Sequence, residues 1–514
     1  AAAAAAATPR LIGAATTPPL PLRRGGAMGG RASPAARGGG ISEGGARWAA
    51  AAPPPLTDAQ LRGAMRLYAG VAREGGGGHG VAWEAALLSL VGKSLGLPRA
   101  VAGELITALV TERAGGDDAE EVRQHGATEF DTASLFNTDA TRWAVCWLPL
   151  HALVQGRNRQ GVAPAHSGVA GSLAWDASSA MLMRRVATRA NVRWGRLLAS
   201  ADVYLFEMPT APLRISADSV PSAAPSRLLG DAFDSEGTLS LAAPCDAALR
   251  LAAPRRSAHL LIGVSGLLSP TEGELEAARP RAAAQALGSC WAAAASYSSS
   301  SEWQSLTWGC GGLSALAAAL RKARGPTRTR AQPDAVGGLP DAVGGLLAFG
   351  NALQLRRFWQ PCCDAARAAG QALAEHLRRR AAGERPVSLV GVSLGARVVW
   401  HCLEALADAD AAGAVLDVVI LAAPVTSNPQ RWDRVRSVVG GRLVNAYVPH
   451  NVQLGALYRS DHLLSRECCG LAAVSADGVH NYDASDLVPD DSDAYHFAAP
   501  RLLEAVGVIE PPEP

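Results

Sequence analysis

Through the C-terminal half of the chain, short β-branched runs alternate with longer stretches whose apolar positions recur at helical spacing. The runs "AHLLIGVSG" (258–266), "PVSLVGV" (386–392), "LDVVILAAPV" (416–425) and "GRLVNAYV" (441–448) predict strands. Between them, "FWQPCCDAARAAGQALAEHLRRR" and "ARVVWHCLEALADA" predict helices, the first closing in a basic turn that suits the helix dipole. Strand and helix in alternation imply an α/β fold, a mainly parallel sheet with helices on both faces, over residues 256–510.

The first half has a different texture. From Leu56, the candidate cap Thr57-Asp58 precedes Leu61, Met65, Leu67 and Val71 at near-helical spacing. "VAWEAALLSLVGKSLGL" and "PRAVAGELITALVTERAGG" continue the pattern, the second with Pro98 in its first turn and Gly115-Gly116 at its end. Residues 56–155 therefore read as a helical domain with a loop at Gly75–Gly78, and residues 156–255 as a mixed connecting region containing the Ser/Pro-rich "SADSVPSAAPSR". Residues 1–55, rich in Ala, Gly, Pro and Arg with no acid before Glu43, read as low-complexity and disordered, a composition shared with organelle transit peptides. The tandem "PDAVGGLPDAVGGL" (333–346) reads as an expanded loop, two copies being too few for a solenoid.

Charge and composition remove several classes of function. The chain carries 48 Lys+Arg against 46 Asp+Glu with no dense basic block, so no nucleic-acid partner is expected. Nine cysteines, including Cys362-Cys363 and Cys468-Cys469, show neither metal-ligand spacing nor a disulfide framework, and read as buried thiols in a reducing compartment. His79 and His125 lack a second ligand at metal spacing and read as solvated loop residues; no metal is expected. No window reaches the roughly 18 uninterrupted apolar residues of a membrane span.

The chemistry concentrates in Gly391-Val392-Ser393-Leu394-Gly395, directly after a strand and directly before a helix, the context of a nucleophile elbow. A sharp turn there needs glycines at Gly391 and Gly395 so that strand and helix can approach, and it lifts Ser393 to the helix N-terminus, where N–H groups favour an oxyanion. The bland alternative is a tight turn in which Ser393 caps the helix. Leu394 would supply one oxyanion amide, and the loop holding Ser265 and Gly266, after the strand at 258–264, the other. This chemistry needs no cofactor.

The segments "RPVSLVGVSLGARVV", "LDVVILAAPVTSNPQRWDRVRSVVGGRLVNAY" and "HNYDASDLV", preceded by "AHLLIGVSG" and "SEWQSLTWG", resemble in order and spacing the transmembrane and coiled-coil domain-containing protein 4 family, α/β-hydrolase-fold proteins classed as lipase-like. The resemblance covers about half the chain, from near 258 to 509. It implies a serine esterase or lipase acting on a carboxylic, lipid-like ester, with Ser393 as nucleophile and a membrane-associated location. Two positions depart from the family pattern: its Asp falls on Asn451, and its His on or near Asp491. His496 is the leading substitute base, with His450 and His480 behind it, and Asp486 or Asp461 as substitute acids. The family's apolar hairpin is absent from residues 156–255, where Arg184, Arg185, Arg189, Arg193, Arg196 and Asp202 interrupt its place. Peripheral membrane contact or a cytoplasmic location follows. The second reading is a catalytically degenerate hydrolase-fold scaffold for membrane trafficking.

Overall fold

The computed structural model describes residues 55–74, 81–114, 132–156, 175–202, 238–241, 247–251, 257–266, 291, 294–295, 301–324, 341–379, 385–461, 467–488 and 495–510. The low-complexity segment 1–54, the Gly75–Gly78 loop, His79, His125, the "SADSVPSAAPSR" stretch and Asp491 lie outside them.

Among the described residues, seven helices come first: α1 (Asp58–Glu74), α2 (Val81–Ser94), α3 (Arg99–Ala114), α4 (Thr132–Leu135), α5 (Asp139–Gly156), α6 (Ala177–Arg189) and α7 (Trp194–Asp202). They share one core built on Met65, Tyr68, Leu88, Val91, Val145, Leu150, Met183 and Leu197. α6 starts in a capping box: the Asp176 carboxylate accepts the Ser179 amide and the Ser179 hydroxyl reaches back to the Asp176 amide. Thus two helices of the 156–255 region pack with the preceding helical layer.

Eight described strands follow: β1 (Thr238–Ser240), β2 (Ala248–Leu251), β3 (Leu260–Val264), β4 (Glu302–Thr307), β5 (Val387–Val392), β6 (Val418–Leu421), β7 (Leu443–Tyr447) and β8 (Val479–Asp483). They form one sheet in the order β1-β2-β4-β3-β5-β6-β7-β8, parallel from β4 to β8 and antiparallel at β1-β2 and β2-β4. The sheet therefore begins at Thr238, inside the segment that reads as a connector.

Helices α8 (Cys310–Arg324), α9 (Asp341–Arg378), α10 (Leu394–Asp408), α11 (Pro429–Arg436), α12 (Val452–Asp461) and α13 (Tyr495–Ala505) accompany the strands. Alternate side chains of each strand point to opposite faces. Leu260, Ile262, Val264, Leu389 and Ile420 meet α8, α9 and α10 through Leu313, Leu373, Val399 and Leu403. Leu261, Val390, Val392, Val419 and Val444 meet α12 and α13 through Leu454, Leu502 and Leu503. The central strands are buried throughout, which is why they read as unbroken apolar runs. The expected loop at 333–346 is corrected in its second half: residues from Asp341 onward belong to α9, because the Ala and Leu around the glycines sustain a helix that continues to Arg378.

The helical layer joins the N-terminal rim of the sheet through buried polar contacts. Arg184 of α6 donates from both terminal nitrogens to Asp417, at 2.6 and 2.7 Å, and Asp417 also accepts the Arg442 amide at 2.8 Å. Burial opposes both charges, yet the pairing with Arg184 and the Arg442 amide holds the Asp417 carboxyl below its ordinary range. Arg385 pairs with Glu302 at 2.6 and 2.9 Å, and Asp202 at the end of α7 accepts the Ala258 amide at 2.7 Å. Between them His259 lies 2.7 Å from the Ser301 hydroxyl and 2.9 Å from that of Ser388. Its imidazole is pushed down to about 4, first by burial and then by Arg184 and Arg385, against the pull of Asp417.

Candidate functional site

At the opposite, C-terminal rim, β5 ends at Val392 and α10 begins at Leu394, leaving Ser393 alone to make the turn. Its backbone sits at φ 54° and ψ −124°, a conformation that L-residues rarely adopt. Such strain costs on the order of 1–3 kcal/mol and persists only where the surroundings over-determine it. Here they do. The Ser393 amide donates to the Leu421 carbonyl at the end of β6 (2.9 Å), and the Ser393 carbonyl accepts the amides of Ala396 and Arg397 (3.0 and 3.3 Å).

Three glycines close the turn by leaving side chains out. A Cβ on Gly395 would stand 2.2 Å from the Val264 carbonyl oxygen, and one on Gly391 would stand 2.6 Å from the Ala396 Cα. A Cβ on Gly266, in the loop after β3, would stand 2.3 Å from the amide nitrogens of both Leu394 and Gly395. Real Cβ atoms do not approach backbone this closely, so β3, β5 and α10 meet only because these positions are glycine.

Ser393 is 7 % exposed, and its hydroxyl makes no cap hydrogen bond to α10. The cap alternative thus lacks its defining bond. The amides of Leu394 and Gly395 lie in the first helical turn, where amides have no intrahelical acceptor. Ser265 is fully buried, and its carbonyl accepts the indole N–H of Trp308 at 3.0 Å.

Strand register locates the other candidates. Val392, Leu421, Ala446 and Tyr482 form one rung across β5 to β8, so Ser393, Ala422, Tyr447 and Asp483 occupy the next. His450 lies in the exposed turn after β7, and its charge bears on Asp483 at the end of β8. The Asp483 carboxyl is held below its ordinary range, chiefly by the Ser485 hydroxyl at 2.5 Å and the Ser485 amide at 3.0 Å, with His450 adding to them. Sequence reasoning passed over Asp483. Its signal was the Asp-x-Ser of "YDAS", which folds as a turn in which the Asp side chain accepts the amide two residues on.

Asn451 serves as a helix cap: its side-chain oxygen accepts the Leu454 amide of α12 at 2.9 Å, and its own amide donates to Val448. His480 is exposed on edge strand β8 opposite Val444, three residues below the rim rung and so about 10 Å down the strand. Asp486 is exposed in the turn after β8. His496 falls in the first turn of α13 rather than before it, and its side chain, like that of Asp461, lies outside the described residues.

A strap crosses the rim between β6 and β7. The Gly470 amide donates to Ala423, the Gly470 carbonyl accepts the Val448 amide, and the Cys469 amide donates to Val425. Cys468 and Cys469 are buried there, and burial pushes the Cys468 thiol up to about 12, which keeps it protonated and unreactive. The seven described cysteines are all buried thiols outside any disulfide. Among the described residues, no group of three His, Cys, Asp or Glu side chains could hold a metal ion.

Fold and rim together define an α/β protein, with its candidate site at the carboxyl ends of parallel strands, where open α/β sheets hold their ligands. Residues 340–509 match the family described as "Protein of unknown function (DUF726)". A rice (Oryza sativa subsp. japonica) relative, "Transmembrane and coiled-coil domain-containing protein STS1", is 42 % identical over 147 residues, 28 % of this chain and 22 % of the relative. An "Uncharacterized membrane protein F35D11.3" from Caenorhabditis elegans is 37 % identical over 154 residues, 29 % of this chain and 25 % of the relative. The Saccharomyces cerevisiae protein "Probable lipase MIL1" is 32 % identical over 151 residues, 29 % of this chain and 14 % of the relative. The matches thus span a quarter or less of each of these three relatives. No solved structure matches. Although relatives are named as membrane proteins, no described helix is long and apolar enough to cross a membrane.

Proposed function

We propose that this chain is a serine hydrolase of the esterase or lipase type on an α/β-hydrolase scaffold. The observation that carries the reading is Ser393, held at positive φ between β5 and α10 with its hydroxyl not engaged as a helix cap. Support also comes from Gly266, whose loop follows β3 as the second oxyanion loop of such enzymes does, and from the yeast relative named as a probable lipase. In the proposed reaction a histidine takes the Ser393 hydroxyl proton as Oγ attacks the ester carbonyl, and amides of Leu394 and Gly266 stabilise the oxyanion. The same histidine then returns the proton to the departing alcohol, and water, activated in the same way, releases the acid.

His496 is the proposed base. His450 is the competing one, favoured by its charge interaction with Asp483 beside the rim. The substrate class is a carboxylic ester with an apolar acyl chain, reached by peripheral contact with a lipid surface. Resemblance to the protein 4 branch of the transmembrane and coiled-coil proteins belongs to the same proposal. The second reading, a non-catalytic scaffold, is favoured by Asn451, which caps α12 where the family carries an acid.

Hydrolysis of p-nitrophenyl esters of graded chain length tests the reading. Ser393→Ala is expected to abolish turnover, and one of His496→Ala and His450→Ala to lower kcat by roughly a thousandfold or more. Correctly folded wild-type protein with no turnover above Ser393→Ala would favour the scaffold.

A further inference from the structure

Resting on the hydrolase reading, we infer that Trp308 is the positioning residue of the oxyanion loop, the group that turns the Gly266 amide towards Ser393. The His259 carbonyl accepts the Glu302 amide, so His259 faces β4, and the Leu260 amide donates to Pro386, so Leu260 faces β5. Backbone groups alternate sides along a strand. Continued along β3, that alternation directs the Ser265 carbonyl to the β4 side and the Gly266 amide to the β5 side. β3 ends at Val264, so the Ser265–Gly266 peptide lies just beyond the strand.

Trp308 holds that peptide from the β4 side. It directly follows β4, is fully buried, and donates its indole N–H to the Ser265 carbonyl at 3.0 Å. In a trans peptide the C=O and the following N–H point in opposite directions. Holding the Ser265 carbonyl towards the indole therefore aims the Gly266 amide away from β4, to the side on which β5 ends in Ser393. Gly266 itself lies against the amides of Leu394 and Gly395, with room for no Cβ between them. The Gly266 amide is thereby held beside those of Leu394 and Gly395 by an indole bonded to backbone alone. This gives the Trp-Gly of "SEWQSLTWG" a role that strand packing does not supply.

Labelling by a fluorophosphonate is the test, because Ser393 Oγ forms the O–P bond, fluoride leaves, the base takes the hydroxyl proton, and the phosphoryl oxygen occupies the oxyanion position. Two variants separate hydrogen bonding from packing: Trp308→Phe, and a site-specific benzothienylalanine at position 308 that replaces only the indole N–H with sulfur. Both are expected to lower the maximal labelling rate about 10- to 100-fold, less than the roughly 100- to 1,000-fold that outright loss of an oxyanion donor costs because the amide is misplaced and not removed, while the apparent affinity for the reversible probe complex stays within about twofold. The benzothienyl variant keeps the bicyclic ring and is expected to melt close to wild type. Wild-type labelling rates in that variant would overturn the assignment and leave Trp308 as packing alone. Absence of wild-type labelling would instead overturn the hydrolase reading on which the assignment rests.

Discussion

Ser393 adopts a costly backbone conformation that its own helix does not require, since its hydroxyl forms no cap bond. The cost is imposed by neighbours: a β6 carbonyl on its amide and glycine contacts on either side. Adding one methyl group at Gly266 or Gly395 should therefore destabilise the fold by about 1–3 kcal/mol or more, as overpacking against backbone does. Gly103, exposed inside α3 with nothing within 4 Å of a Cβ, provides the opposite control. Gly103→Ala should stabilise by about 0.5–1 kcal/mol, and urea midpoints of the three variants check both signs. The pattern at 391–395 was legible because sterics fix which positions must lack a side chain. The roles of Gly266 and Trp308 depend on contacts between residues far apart in the chain, which no local pattern encodes. Asn451 shows the converse: a position read for its missing charge turns out to hold a helix end.

At the scale of elements, the helical layer and the sheet are joined by buried charge and hydrogen bonds at the strands' N-terminal ends. Removing one partner of a buried pair such as Arg184–Asp417 leaves a charge uncompensated, at a cost of about 3–5 kcal/mol. His259 makes this junction sensitive to acid. Its folded value of about 4 lies below the ordinary imidazole value, so on acidification the unfolded chain takes up the proton first. Its contribution should be constant above about pH 6.5, decline as pH falls from there towards 4, and level off below, losing about 3 kcal/mol in total. His259→Gln, compared with wild type by urea unfolding between pH 7.5 and 4.5, should flatten that part of the profile. An identical profile in the two proteins would contradict the buried neutral imidazole. The central strands were legible because burial on both faces makes them unbroken apolar runs. β4 is not legible as a strand because its buried "EWQSLT" contains Glu302 and Gln304, made tolerable by Arg385 and by each other. β8 escaped notice because an exposed edge strand is polar along most of its length.

Across the whole molecule, the two rims of the sheet divide the work. The N-terminal rim carries the buried ionic contacts to the helical layer, and the C-terminal rim carries Ser393, the tight glycine contacts, and the turns bearing His450 and Asp483. The second arrangement is the one that α/β sheets use for ligands. The proposed hydrolase function requires Ser393 to be an activated nucleophile. Its most direct test is covalent labelling of the purified chain by a fluorophosphonate, followed by peptide mapping, with Ser393→Ala, His496→Ala and His450→Ala in parallel. Modification is expected at Ser393, absent in Ser393→Ala and strongly slowed in one histidine variant; folded wild-type protein that labels no better than Ser393→Ala would overturn the hydrolase reading.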